Sequence, residues 1–553
     1  MKKTFILLAL VSLFSSCKED FLDESPKDFL SSANAYVTHD DFTASVNNLY
    51  YLVRRQFYSR DENRPFDFLY GTDIVYDGEN NGTQRHSRMS EAYAPSGQIA
   101  TVHWNLLYKT IAEANTIIDR SAASNMTEEE TKDIVSQARF IRGFSYRTLV
   151  YLYGGVPLVI NEVTAPKIDF VRASKEAVLN QAVEDLEFAS QNLPGITDVV
   201  DGRVSNLVAY HYLAEVFITL GKNEEAILAA TTVINDPNTA LMTNRFGTRS
   251  SETDKDEYWD LFRTGNQNRS IGNTEGLWVI QFELDVPGGG LQSSSKDGSY
   301  MLERHHAPLN RSGAFNKWPV GDYTGGRGIG WMISTEYFSN TVWGGNNTNP
   351  DFVNDIRNAN HNFMREYNSN NTIALQSTPG IIVSTETTPR SRSLYAYQTK
   401  ATTPFNHPEG LYDNNDPYSL TSAAGGTYTD QYMLRLAETY LLRAEAYIAN
   451  EQFQLAADDV NVVRTRANAS EATAAQMDID YILDERIREF GVEEKRRLTL
   501  MRLGLLYDRV SRFNPYYTEL EDGMKETYNL WPIPADEIEG NREVELTQNP
   551  GYN

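Results

Sequence analysis

The sequence predicts a mostly α-helical protein: tetratricopeptide-like helix pairs, stacked as an α–α superhelix, carrying one irregular, loop-rich lobe with a few short strands. Three observations predict this. Apolar residues recur at three- and four-residue spacing through much of the first half of the chain. Two distant segments share a helix–tight turn–helix pattern with small residues at the close-packing positions. Between them lies a stretch rich in Gly, Asn, Ser, Thr and aromatics, punctuated by glycine pairs.

The first helix read this way runs from Val102 to Arg120, with Trp104, Leu107, Tyr108, Ile111, Ala114, Asn115 and Ile118 on one face. A second spans Glu128 to Tyr153 and stops at Gly154-Gly155 and Pro157. A third runs from Ser174, its N-cap, to Leu193, with Glu176 and Glu184 on the wet side. The first repeat unit is Ala209 to Gly221 followed by Asn223 to Ile227; the second is Arg435 to Tyr447, a turn near Asn450, and Ala456 to Asp458. Such pairs cannot bury their faces alone, so they stack. From about Arg245 to Thr429 the texture is irregular, with one short strand at Leu277 to Phe282. Long loops of this kind are uncommon in compact domains and usually carry function. The body is thus read as 31–553, with helical repeats mainly in 100–240 and 430–510, the lobe at about 245–429 and a tail motif at 528–553.

The amino terminus predicts the compartment. Lys2 and Lys3 precede an apolar run of ten residues, Phe5 to Phe14. Spanning a membrane takes ~20 residues, so the run fits a signal peptide. Ser15 and Ser16 lead to Cys17, the one cysteine in 553 residues. This resembles a bacterial lipobox, with leader 1–16, acylation at Cys17 and a linker at 17–30, so the body is anchored to a membrane without crossing it. Lys18-Glu19-Asp20 resembles an export signal to the exterior face. The formal charge is −25, and removing Lys2 and Lys3 with the leader takes it to −27. That acidity argues against nucleic acid or anionic lipid as partner.

Several segments in order resemble one family. They are His103 to Tyr108 with Ala114-Asn115; Gln137 to Gly143 with Tyr146 and Tyr153 to Leu158; Gly202-Arg203; Asp484 to Phe490 with Arg496-Arg497, Arg502 and Gly504; and Trp531 to Pro534 with Gln548 to Tyr552. From end to end the chain resembles the SusD/RagB family of Bacteroidetes outer-membrane lipoproteins. The resemblance implies four tetratricopeptide-like helix pairs, no catalytic residues and no cofactor. It also implies a SusC-like TonB-dependent transporter barrel as partner, over which the lipoprotein sits and to which it delivers an oligosaccharide or, in some members, a peptide.

A sugar binder needs flat aromatics for C–H faces and a few polar groups for hydroxyl edges. The chain has 32 Tyr and 7 Trp. Trp104, Trp259, Trp278 and Trp531 sit in apolar or motif contexts and read as core. Trp318, Trp331 and Trp343, with Tyr323, lie among glycines and amides and are the ligand candidates. Trp331-Met332-Ile333 also reads as the start of a helix. Asp73, Tyr76, Asp77, Asn80 and Asn81 form a polar–aromatic cluster, of which Asp73, Tyr76 and Asn81 are taken as ligand-binding candidates. Fewer site aromatics and more charge complementarity would favour a peptide or glycopeptide instead. A polysaccharide hydrolase is the remaining alternative, but no nucleophile elbow, His-Glu-x-x-His or phosphate loop occurs. His305-His306 is a poor metal pair, and Asp413 to Asp416 lacks the spacing of a calcium loop, so a structural calcium is not indicated. Lys495-Arg496-Arg497 reads as an ion-paired helix face.

Overall fold

The computed structural model describes residues 35–59, 64–79, 85–286, 289–290, 299–309, 326–368, 380–382, 391–393, 395–402, 407–413, 416–421 and 424–552. Helices dominate. α1 (His39–Tyr58) opens on a capping box in which Thr38 and Asp41 satisfy each other's backbone N–H groups. α2 (Gln98–Ser121) starts four residues before the periodicity predicted. α3 (Glu128–Tyr153) has a second capping box, Thr127 with Glu130, and ends at Gly154, whose φ of 73° suits glycine. α4 (Lys175–Asn192) is capped by Ser174, whose Oγ accepts from the Ala177 N–H at 3.1 Å. α5 (Asn206–Thr219) and α6 (Asn223–Ile234) form the first repeat pair, turning at Gly221 with φ 72°. α7 (Leu436–Ala449) and α8 (Phe453–Arg466) form the second.

These helices stack in chain order, α1 on α2 and so on to α8, and α6 packs directly on α7 across the intervening lobe. Small residues set the spacing. Ala437, Ala444, Ala456 and Ala457 are fully buried where α7 meets α8. A Cβ on Gly143 of α3 would stand 3.1 Å from the Ala182 carbonyl oxygen of α4, so glycine permits the close crossing. One residue earlier, Arg142 forks onto Asp185 of α4 with two 2.8 Å bonds and also reaches Asn115 of α2. The Gln137–Gly143 motif is therefore a three-helix clasp.

Two strands tie both ends of the lobe to this scaffold. β2 (Gly276–Ile280) pairs antiparallel with β4 (Gln431–Arg435), Tyr432 opposite Val279. Trp278 on β2 packs edge-on against Phe140 and Phe144 of α3, each at 5.5 Å. The lobe is locked further by buried ion pairs. Arg435 bonds Glu275, Glu489 and Glu493; Arg357 bonds Asp355, Glu485 and Glu489; Arg466 joins Glu275 to Glu489. Glu485 and Glu489 lie on α9 (Ile479–Glu489), so the Asp484–Phe490 motif is the acidic half of this lattice. Buried ion pairs add little net stability but penalise any arrangement that breaks them.

α10 (Arg496–Arg502) and α11 (Leu506–Phe513) follow. Arg496 and Arg497 are fully buried, so the basic run lies inside the protein instead of forming a surface face: Arg496 pairs with Asp73 and Glu494, while Arg497 donates to the Asp67 and Tyr70 carbonyls. The tail returns to α3: Trp531 is buried, and its N–H donates to the Leu152 carbonyl at 2.6 Å. Asn549 Nδ2 donates to the Tyr153 and Trp531 carbonyls at 2.9 and 2.7 Å. Among the described residues no helix is long and apolar enough to cross a membrane.

Candidate functional site

The N-terminal polar–aromatic cluster and the lobe meet on a two-stranded sheet. β1 (Val75–Asp77) pairs antiparallel with β3 (Met332–Ser334), Tyr76 opposite Ile333 and Asp77 opposite Met332. The Gly78 N–H donates to the Trp331 carbonyl at 2.8 Å and extends the ladder. A Cβ on Gly78 would lie 2.6 Å from the Gly330 carbonyl oxygen and 3.0 Å from Cγ of Arg392. Only glycine lets the two segments close here. Trp331 therefore precedes a strand, which corrects the helix reading. A three-residue apolar run cannot distinguish the two states by itself.

Tyr76 is half-buried and stacks on half-buried Tyr516, centroids 4.9 Å apart and planes at 24°. Below the pair, Ser87 donates to Asp77, and Asp77 accepts the Glu79 N–H at 3.0 Å. Arg85 bonds Glu79 at 2.9 Å, and Arg392 pairs with the same carboxylate while donating to the Ile329 carbonyl at 3.0 and 3.1 Å. Two guanidinium groups lie over the Trp331 ring, Arg85 at 4.2 Å and Arg304 at 5.1 Å, and His305 meets its edge at 5.0 Å. The patch thus offers one tyrosine platform beside a set of guanidinium groups and one exposed carboxylate.

The structure sorts the sequence-predicted residues. Tyr76 lies at the patch surface. Trp331 is beside it but only 9% exposed and covered by arginine, so it is not a free stacking platform. Trp343 is a correction: it is 1% exposed, its indole N–H donates to the Phe338 carbonyl at 2.9 Å, and its ring packs on Phe363. Asp73 is a second correction. It is fully buried, forked by Arg496 at 2.9 and 2.7 Å and held by Arg509 at 3.1 Å. Burial raises its pKa, but the two guanidinium groups more than offset this and hold it down at about 2. Trp318, Tyr323, Asn80, Asn81 and Cys17 lie outside the described residues. Sequence reasoning missed Tyr516, Arg85, Arg304 and Arg392. The Tyr516-Tyr517 pair after Pro515 was the one available signal.

His305 and His306 are both buried. His305 stacks on Phe66 at 3.7 Å and bonds the Tyr70 hydroxyl at 2.9 Å; His306 bonds the Met332 carbonyl at 3.1 Å. Among the described residues no group of three or more His, Cys, Asp or Glu converges to hold a metal.

Cavities lie elsewhere among the described residues. A partly enclosed space of about 50 Å³ behind β4 is lined by Tyr58, Tyr212, Arg147, Glu438 and Lys495, enough for a few waters. Lys495 Nζ stands 3.8 Å over the Tyr58 ring, and burial pushes its pKa down to about 7. An open groove of about 420 Å³ lies between α2, the 157–163 segment and the tail, lined by Trp104, Tyr108, Pro157, Val163, Phe170 and Leu546. Two of its polar neighbours are internally engaged: the Tyr108 hydroxyl donates to the Pro157 carbonyl at 2.7 Å, and Asn115 to the Val159 carbonyl at 2.9 Å.

Comparison with known proteins decides the family. The model of the SusD family matches residues 274–552. The chain belongs to the SusD family. A second model, described as starch-binding associating with outer membrane, matches residues 20–218 of this SusD-family protein. A SusD-like protein of Formosa agariphila is 23% identical over 98% of this chain and 97% of its own length. The starch-binding protein SusD of Bacteroides thetaiotaomicron is 35% identical over 130 residues, 22% of each chain. Among solved structures, a laminarin-binding SusD-like protein superposes with TM-score 0.68 at 20% identity, covering 94% of this chain and all of the other. Surface glycan-binding protein A of Bacteroides thetaiotaomicron, in complex with laminarihexaose, also gives 0.68, at 18% identity over 92% and 99% of the two chains. These superpositions establish the shared, mostly helical fold.

Proposed function

We propose that this SusD-family chain is a cell-surface lipoprotein that captures a glycan and passes it, chemically unchanged, to a SusC-like TonB-dependent transporter. The observation that carries the binding role is the half-buried Tyr76–Tyr516 stack set beside guanidinium and carboxylate groups on a rigid β1–β3 support. Such a surface can hold a sugar ring by its face and its hydroxyl edges at once. Structural relatives that bind laminarin or were solved in complex with laminarihexaose support the ligand class. The lipid anchor rests on the leader and Cys17.

The barrel-facing side is supported by a separate feature. Ile160, Val163, Ile168 and Val171 are 40–65% exposed on one segment beside the apolar groove. Tyr36, near the start of the described chain, lies under Arg120, which pairs with Glu162 of that segment. The apolar face therefore lies on the side of the body where the described residues begin. Binding without hydrolysis is supported by the family and by structural relatives named for binding.

The peptide reading gains from one observation, the covering of Trp331 by arginine. The flat tyrosine pair favours glycan. Affinity gels containing plant, host and microbial polysaccharides test the proposal. Retardation by a glycan, lost in Tyr76→Ala and in Tyr516→Ala, is the expected result. Retardation that persists in both variants would place the site elsewhere, and release of reducing ends on incubation would replace binding with hydrolysis.

A further inference from the structure

We infer that Lys495 is a covalent modification site, whose side-chain amine condenses with a small aldehyde to form an imine. Lys495 is partly exposed and lines the partly enclosed space of about 50 Å³ behind β4. The first observation is what its Nζ faces. It stands 3.8 Å over the Tyr58 ring and 5.2 Å from the Tyr300 ring, and the two rings meet edge-on at 5.2 Å. Phe57, Phe144 and Leu498 line the same space. The amine thus sits in an aromatic corner, where Nζ makes no hydrogen bond and no ion pair among the described residues. Ring faces replace water around an ammonium only in part.

The second observation is that the charged groups lining the space are committed to other partners. Glu493 accepts from Arg435 at 2.7 Å and from Lys400 at 2.8 Å. Glu494 accepts from Arg486 at 2.6 Å and from the Thr499 hydroxyl at 2.7 Å, and Glu438 accepts from Arg486 at 2.6 Å. Arg147 forks onto Glu215 at 2.9 and 2.6 Å. Lys400 shows the contrast: buried nearby, it donates to two carbonyls as well as to Glu493. Lys495 has no such set. Burial pushes its pKa down to about 7, with the Glu493 charge opposing this in part. A large share of the amine is therefore neutral at neutral pH, and the neutral amine is the nucleophile.

The site also selects the electrophile. The nitrogen lone pair adds to the aldehyde carbon, and the carbonyl oxygen then leaves as water with the two amine hydrogens. A C=N bond replaces the C=O bond, and nothing is oxidised or reduced. The imine is neutral, which suits a corner that offers Nζ no counter-charge. A carbamate from carbon dioxide would instead place a negative charge beside Glu438, Glu493 and Glu494. Space for a few waters admits a short aldehyde and excludes a sugar ring.

The test is reductive labelling of the folded protein with limiting acetaldehyde and cyanoborohydride, which traps the imine as a stable ethylamine, followed by peptide mass mapping. At pH 7 Lys495 should be labelled about tenfold or more faster than the exposed Lys109 and Lys222, because an amine with the ordinary lysine value of ~10.4 is almost wholly protonated there. Its rate should rise through pH 7 and level off about one unit above, while the rates of the exposed lysines keep rising. Pyridoxal phosphate, too large for the space, should reverse the order. Lys495→Arg should lose the fast site and leave the other lysines unchanged. Labelling of Lys495 no faster than that of Lys109 and Lys222, or only after unfolding in urea, would overturn the inference. Preferential labelling of Lys495 by pyridoxal phosphate would overturn the assignment to small aldehydes. These readings are made on the wild-type chain, so they hold whether or not the variant folds.

Discussion

Replacing Asp73 by Asn removes one charge from a sealed site and little volume. Asp73 is fully buried, and Arg496 and Arg509 direct three hydrogen bonds at it. Arg496 would keep Glu494 at 3.3 Å and the Leu483 carbonyl at 3.1 Å, and Arg509 would keep Asp480 and Asp484 at 2.9 and 2.6 Å. Removing one partner of a buried ion pair costs ~3–5 kcal/mol. A pH arm gives an independent magnitude. The carboxyl sits at about 2 when folded against 3.8 as the ordinary value. At ~1.4 kcal/mol per pH unit that gap supplies ~2.5 kcal/mol. Because the folded pKa is depressed, this contribution is fully present above about pH 4 and is lost as pH falls toward 2. Urea unfolding of wild type and Asp73→Asn at pH 7 and at pH 3 is the assay. The variant should be less stable by ~3–5 kcal/mol at pH 7 and closer to wild type at pH 3, while its folded fraction binds ligand normally. Unchanged stability with lost binding would refute the argument and return Asp73 to the ligand site.

Trp343→Ala should cost ~3–5 kcal/mol of stability, by calorimetry or denaturant, without altering the affinity of the folded protein. Gly78→Ala should cost ~1–3 kcal/mol and weaken ligand binding together, because the new methyl meets the Gly330 carbonyl at 2.6 Å and pushes β1 from β3. Lys495→Met should raise stability near pH 6. A lysine held at about 7 penalises the folded state most when protonated, so the gain should shrink as pH rises from 7 through the ordinary lysine range, by denaturation at several pH values.

The scaffold was legible because periodic apolar faces, caps and a glycine stop act locally. α3 and α4 end within a residue or two of their signals. The lobe was legible only as texture. Glycines and amides around Trp343 mark a loop, but whether the loop turns its indole in or out is decided by Phe338 and Phe363, contacts that no spacing rule encodes. Asp73 shows the same limit. Its partners Arg496 and Arg509 stand more than 400 positions away, so an acidic residue in a polar cluster read as a ligand contact when it is a core charge. Tyr76 was found, and its stacking partner Tyr516 was not, for that reason. The guanidinium groups over Trp331 come from positions 85 and 304, brought together by a two-stranded sheet whose register the sequence leaves open.

The central claim is that ligand is held on the β1–β3 patch. Hydrogen–deuterium exchange with and without a retarding oligosaccharide tests it most directly. Ligand should slow exchange in 74–79, 85–88, 329–334 and 514–517 and leave the α2 groove segments 104–115 and 157–163 unchanged. Protection confined to the groove segments, with the sheet unaffected, would contradict the account.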